Sequence, residues 1–374
     1  VATDAKPDQI RPLFRKTAEV GVSFGVVLVK EQGVTIEVAT FRSDGPYSDR
    51  RRPDAITFAD EVSDAERRDF TINALFLDPL AADEAGVRGN HIHGHVIDHV
   101  NGLRDLEAGV VRAVGDPDAR LSEDHLRALR AVRFAARLGF EIDPGTAGAI
   151  AQHAKDLLGV SRERIGDELR RMMSGPRRAL ALSLLQELRI DAPVFDEPHV
   201  DHPPDLLARL GEDARYPSCL AAIAIDRASV TGEPDVGPLV ARWRKALSLS
   251  NDERDELRDT LTGFYSLGQE FEGEPVAKQK RAAASGWFEG SMSLLAVRDP
   301  GLHERLREQV ERLTRSPGGL APEPFLNGSD LIGMGLTPGP RFKDVLDTVY
   351  DAQLEGRVGS KGDAMELARS LSVE

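Results

Sequence analysis

Cysteine is nearly missing from this sequence. The single Cys219 rules out an internal disulfide framework and any cysteine-built zinc site, and it fits a reducing cytoplasm. No apolar run reaches the roughly 18 residues that a spanning helix requires, so no membrane span is expected. No charged segment leading into an apolar stretch opens the chain, so no signal peptide is expected. Opening on Val1 rather than methionine reads as a cut, processed or misassigned start. Internal repeats and long low-complexity tracts are lacking as well. Positive charge is in deficit: 48 Lys and Arg against 62 Asp and Glu give a net charge of −14. That total counts against a nucleic-acid binder, since phosphate attracts basic surfaces. It does not exclude one. The arginines are locally concentrated, and a basic groove on an acidic body acts within a Debye length of about 8–10 Å.

The 374 residues, 41% of them hydrophobic, are enough for two to four compact units with a sizeable core. Residues 1–80 read as mixed α/β. Apolar residues at helical spacing mark 7–17, and strands are expected at 24–30 and 34–42 around a Gln32-Gly33 turn. In the second strand Val34, Ile36 and Val38 face one way, and Thr35, Glu37 and Ala39 the other. Residues 43–55 form a polar loop, and 66–79 turn apolar on one side as a helix would. Val96-Ile97 and Val110-Val111 read as short strands, with a tight turn at Asn101-Gly102. Beyond residue 118 the helical period dominates. Helices are expected at 122–138, 144–157, 162–173, 176–189, 203–210, 217–226, 236–248, 251–266, 275–297, 301–314, 327–333 and 340–354. Gly139 is the expected stop of the first, and Ser161 the N-cap before 162. Proline-rich stretches at 192–204 and 316–324 read as linkers.

Helix 122–138 carries the clearest chemical pattern. Asp124, Arg127, Arg130, Arg133 and Arg137 are three, three, three and four residues apart, a stripe that drifts slowly round the helix. Neighbouring like charges repel by about 0.2–0.5 kcal/mol per pair, so something anionic must offset them. One reading is a triphosphate or RNA backbone, whose oxygens match guanidinium forks. The other is a solvated stripe neutralised by acids of neighbouring helices. In "ERRDFTINAL" (66–75), one helical turn would align Asp69 with Asn73. Contact of Arg68, Asp69 and Asn73 with a sugar and triphosphate is one reading. Pattern alone favours an amphipathic helix with Asp69 near its positive end.

Four strings occur in order: "RRDFTINAL" (67–75), "VIDHVNGLRDL" (96–106), "VVRAVGDPDARLSEDHLRALRAVRFAARLGF" (110–140) and "VSRERIGDEL" (160–169). Together they resemble class II tRNA nucleotidyltransferases and their bacterial poly(A) polymerase relatives. The likeness is dense over 1–190 and returns in "DLIGMGLTPGPRFKDVLDTVYDAQLEG" (330–356). It implies an α+β chain. A partial nucleotidyltransferase palm, a mixed sheet with helices, would occupy 1–80. A nucleotide-reading neck (81–145), a body (146–200) and a tail that grips the RNA acceptor arm (201–374) would follow, all helical.

The same resemblance implies roles. Asp124 and Arg127 would read the incoming base, with Glu123 holding the pair. A carboxylate accepts from the amino group of cytosine or adenine while a guanidinium donates to the adjacent ring nitrogen. Arg130 and Arg133 would contact the nucleotide or its triphosphate, and Arg68, Asp69 and Asn73 its ribose and phosphates. Glu37 would be the third acidic residue of the catalytic sheet and a ligand to Mg²⁺. The 43–65 loop would take part in switching from C to A addition. CTP and ATP would be the substrates and a tRNA or other RNA 3′ end the primer, in the cytoplasm. The family keeps a Gly-Gly-x-x-Arg-Asp turn and an Asp-x-Asp pair just upstream of a segment like "VATDA", here residues 1–5. The chain as written is therefore expected to be catalytically impaired.

Three further features stand out. His91, His93 and His95 alternate, with His99 following, as a metal-binding face or an incidental surface turn. Trp243 and Trp287 fit packing anchors. "GLTPGPRF" (335–342) lacks the lysine-serine pair of a phosphate loop and reads as a turn into a helix with Pro340 in its first turn.

Overall fold

Alternating β-branched and polar residues build the head. Its strands are β1 (Ala2–Thr3), β2 (Thr17–Glu19), β3 (Val26–Glu31) and β4 (Val34–Thr40), in the order β1-β4-β3-β2. Only β1 and β4 run parallel. In this computed structural model all residues are described except 20–24, 46–54, 82–85, 89–90, 270, 336–338 and 374. Gln32 and Gly33 both have positive φ, 48° and 82°, as a two-residue turn between right-twisted strands demands. Val27, Val29 and Val38 pack with Ile10, while Glu37 is exposed. The expected helix over 7–17 stops early. α1 (Pro7–Ile10) gives way to a 3₁₀ turn at Arg11–Leu13, because Pro12 supplies no N–H, and the chain then enters β2.

β5 (Arg42–Asp44) and β6 (Ile56–Phe58) pair at the base of the 43–65 loop, most of whose tip falls outside the described residues. α2 (Glu61–Glu66) follows, with the Asp60 carboxylate accepting from Ser63 N–H at 2.9 Å. Residues 66–79 do not continue as a helix. Phe70 bridges to Ala113, Thr71–Asn73 make a 3₁₀ turn, and β7 (Phe76–Asp78) is a strand. Bonds to residues distant in sequence hold this segment out of a helix. The Thr71 hydroxyl donates to Asp105 at 2.7 Å, and Thr71 N–H donates to Arg112 carbonyl at 3.0 Å.

β8 (Gly86–Arg88) pairs with β9 (His91–His93), and β10 (His95–Ile97) pairs with β7. The side chains of His91 and His93 lie outside the described residues; His99 bonds Glu61 at 3.1 Å. Asn101 does turn, with φ of 63°, but it opens α3 (Gly102–Ala108) rather than a hairpin. A Cβ on Gly102 would lie 2.2 Å from the Thr71 carbonyl oxygen, so only glycine allows this approach. β11 (Val110–Val111) runs parallel to β12 (Glu141–Ile142).

The expected helix at 122–138 is two helices, α4 (Pro117–Glu123) and α5 (Leu126–Leu138), with Asp124 extended between them at φ −149° and ψ 102°. Gly139 caps α5 as expected. α6 (Pro144–Gln152), α7 (Arg162–Met173), α8 (Arg178–Glu187) and α9 (Asp191–Phe195) follow. Ser161 stands at the N-cap of α7 but makes no side-chain cap bond. Fully buried Trp243 packs on Phe195, ring centroids 4.9 Å apart.

The structure divides into two compact units, Val1–Pro204 with Arg242–Ser248, and Asp205–Ala241 with Leu249–Glu374. The remaining helices are α10 (Asp205–Arg209), α11 (Tyr216–Thr231), α12 (Val236–Ala246), α13 (Asn251–Gln269), α14 (Val276–Ala283), α15 (Phe288–Arg298), α16 (Pro300–Arg315), α17 (Gly328–Gly333), α18 (Pro340–Leu354) and α19 (Lys361–Val373). The buried Asp226 carboxylate accepts from Leu206 and Leu207 N–H, satisfying the first donors of α10. The single helix expected at 275–297 is broken between α14 and α15. No described helix is long and apolar enough to cross a membrane.

Candidate functional site

The break between α4 and α5 sets the geometry. Asp124 Oδ1 accepts from Leu126 N–H at 3.1 Å and so opens α5. Its Oδ2 accepts from Arg164 on α7 at 2.6 Å. Arg127, one turn later, donates through one terminal nitrogen to the Arg120 carbonyl at 2.6 Å and to Glu123. Arg120 donates to the same Glu123 oxygen at 3.0 Å. Asp124 and Arg127 are thus not bonded side chain to side chain. Each is fixed by these bonds and keeps further capacity: lone pairs on the carboxylate, and Nε and the second terminal nitrogen of the guanidinium. Their side chains are 15% and 10% exposed, dry enough that a mismatched partner is costly.

The arginine stripe resolves partner by partner. Arg127 meets Glu123, and Arg130 grips Asp69 through Nε at 2.7 Å and a terminal nitrogen. Arg133 donates to buried Glu168 at 2.6 Å and lies over the Phe134 ring at 4.2 Å. Protein acids neutralise these three. Arg137 is exposed and has no carboxylate partner among the described residues.

Asp69 and Asn73 do meet, with Asn73 donating at 3.1 Å, but across the 3₁₀ turn rather than along an α-helix. Phe70 packs edge-on to Phe134 at 5.8 Å and ties this segment to α5. Asp69, Asn73 and Arg130 therefore form one network. Arg68 is held by Asp64, from Nε at 3.2 Å and one terminal nitrogen at 2.7 Å, and its other terminal nitrogen makes no bond among the described residues. Asp64 also takes Arg67. Burial pushes the Asp64 carboxyl up, but Arg67 and Arg68 outweigh it and hold the group below its ordinary 3.8. Glu37 lies apart on β4. Among the described residues it belongs to no group of three potential metal ligands.

Sequence reasoning missed Arg164, which orients Asp124 from 40 residues away, and the pair His125–His153. Buried His125 follows Asp124 directly and stacks on His153, centroids 5.7 Å apart. His153 sits between Asp156 and Asp118, both at 2.8 Å. His125 is marked in the sequence only by following Asp124 directly, and its burial is a structural finding; nothing local marked His153. Burial pushes the His153 imidazole down, yet the two carboxylates prevail and hold it above its ordinary 6.5. Its stabilisation is therefore complete below the unfolded value and is lost as pH rises through the raised folded value. His153→Gln is expected to cost about 1–2 kcal/mol at pH 6 and clearly less at pH 9.5. Urea midpoints at the two pH values check this; an equal cost at both contradicts it.

Comparison with known proteins gives the class of this four-stranded head and the helices that follow it, a nucleotidyltransferase. Residues 1–112 match "Poly A polymerase head domain", and residues 139–202 match "Probable RNA and SrmB-binding site of polymerase A". The chain is 33% identical to the CCA-adding enzyme of Geobacillus stearothermophilus, over 96% of this chain and 84% of the relative. It is 33% identical to that of Lacticaseibacillus paracasei, over 100% and 86%. The chain belongs to this family of CCA-adding enzymes. Among solved structures, the Bacillus stearothermophilus CCA-adding enzyme in complex with CTP aligns with a TM-score of 0.74 at 28% identity, covering 99% of this chain and 88% of that one. The Thermotoga maritima enzyme complexed with tRNA_CCA shares the fold, with a TM-score of 0.62 at 20% identity over 97% and 83%.

Proposed function

We propose that this protein adds C and A to the 3′ ends of tRNA from CTP and ATP without a nucleic-acid template. The observation that carries this reading is the α4–α5 break: Asp124 is fixed by Leu126 N–H and Arg164 and Arg127 by Arg120 and Glu123, one helical turn apart in sequence, with acceptor capacity left on the carboxylate and donor capacity left on the guanidinium. Cytosine and adenine both offer an amino donor beside a ring acceptor, the complement of that pair. Uracil and guanine turn a carbonyl toward the carboxylate, and an unsatisfied buried group costs about 1–3 kcal/mol. Glu123 and Arg164 are positioning residues: one fixes Arg127, the other Asp124. We assign ribose and phosphate contact to the Asp69–Asn73–Arg130 network and to Arg68; Arg133, held by Glu168, is not part of that network. In the domain plan that goes with this reading, 1–80 is the head, 81–145 the reading neck, 146–200 the body and 201–374 the RNA-gripping tail.

Nucleotidyltransferases use divalent ions, and Mg²⁺ is our assignment here. When bound, such ions activate the primer hydroxyl and stabilise the leaving pyrophosphate. The lone exposed Glu37 does not make a two-ion site from the described residues. What these residues do is bind, orient and select the nucleotide. Cytoplasmic placement goes with a tRNA substrate and with one buried cysteine.

The gene product should be supplied with tRNA lacking its 3′ end and labelled CTP and ATP. C followed by A in the product is the expected outcome. Adenosine alone, on any RNA, would assign a poly(A) polymerase instead.

A further inference from the structure

The C-terminal ends of α5 and α7 meet the turn at 174–177 around a pocket of about 330 Å³. Its lining contains Arg133, Arg137, Arg171 and Arg177 and no acidic residue. One acid stands behind it: Glu168, 4% exposed at its side chain, takes Arg133 at 2.6 Å and Arg171 at 3.3 Å. Arg177 donates to the Arg137 backbone carbonyl at 3.0 Å. Neither Arg137 nor Arg177 has an ion-pair partner among the described residues, and both are exposed. Four guanidinium charges therefore face one carboxylate. Each helix end adds about half a negative charge, which still leaves a surplus of about two. On a chain whose net charge is −14, that surplus is a local exception. Arg137 stands ten residues beyond Arg127, about 15 Å along α5 at 1.5 Å per residue, so the pocket is a separate position from the base-reading pair.

We infer that this pocket holds two neighbouring phosphates of an RNA backbone. Guanidinium forks match phosphate oxygens, and two uncompensated charges match two phosphodiesters. Residues 171–177 also fall within the segment that matches the probable RNA-binding family model. The inference rests on the tRNA reading above and adds a place on the chain where the RNA is gripped.

The test compares the unaltered chain with Arg137→Ala/Arg177→Ala and Arg137→Lys/Arg177→Lys, each titrated with tRNA lacking its 3′ end over a salt series and, separately, with CTP. The alanine pair should lower tRNA affinity about 10–100-fold. It should also flatten the slope of log affinity against log salt by about 1.4–1.8, the loss of two phosphate contacts. The lysine pair should keep most of the slope, and CTP affinity should stay unchanged in both. Matching thermal melts will show that the exposed changes leave the fold intact. An unaltered tRNA slope in the alanine pair overturns the pocket alone, and a parallel loss of CTP affinity would reassign it to the nucleotide triphosphate. Absence of tRNA binding by the unaltered chain overturns the tRNA reading, and the pocket with it.

Discussion

Arg127→Ala is expected to lower the preference for CTP over UTP by about 10–100-fold, the equivalent of one buried mismatched hydrogen-bonding group. Cytosine presents a ring acceptor where Arg127 has Nε and a terminal nitrogen to give; uracil presents an N–H, so donor faces donor. With 10% of its side chain exposed, Arg127 leaves little water to relieve that clash. Removing the guanidinium abolishes the penalty against uracil along with the bond to cytosine, so the two affinities converge. Glu123 keeps Arg120 as a partner at 3.0 Å, so the change does not strand it. Equilibrium titration with CTP and UTP reads the ratio directly. An unchanged ratio in a folded variant removes Arg127 from base selection.

Glu168→Ala should damage stability severely. This carboxylate is 4% exposed and holds Arg133, itself 10% exposed, together with Arg171. Its loss strands a guanidinium between α5 and α7, and breaking one side of a buried pair costs about 3–5 kcal/mol. At about 2–4 °C per kcal/mol for a unit of this size, the thermal midpoint should fall by about 6–20 °C. Glu168→Gln keeps an acceptor and should lose less. A fall under about 2 °C for the alanine variant would mean that Arg133 finds water or another acid at no cost.

The legible parts of the fold were those written in local chemistry. The β3–β4 hairpin followed from its alternation and Gln32-Gly33, and α5 from its period and Gly139. The break at Asp124 could not be read. Residues 122–138 keep an unbroken helical period, and what extends Asp124 is a bond to its own downstream N–H and one to Arg164, 40 residues away. The arginine stripe shows the same divide. Its spacing was plain, but the acids that answer Arg130 and Arg133 lie 61 and 35 residues off, so their pairing is tertiary information. Residues 66–79 misled for a mixed reason: Asn73 binds Asp69 four residues back, while Thr71 binds Asp105 34 residues away, and the backbone does not take the helix that the apolar pattern suggested.

A crystal structure of this chain with CTP bound tests the central claim most directly. The cytosine amino group is expected within hydrogen-bonding distance of the Asp124 carboxylate and its ring nitrogen facing the Nε side of Arg127, with Arg164 still bonded to Asp124 and Glu123 to Arg127. A cytosine seated elsewhere, with Asp124 and Arg127 facing only water, would contradict it.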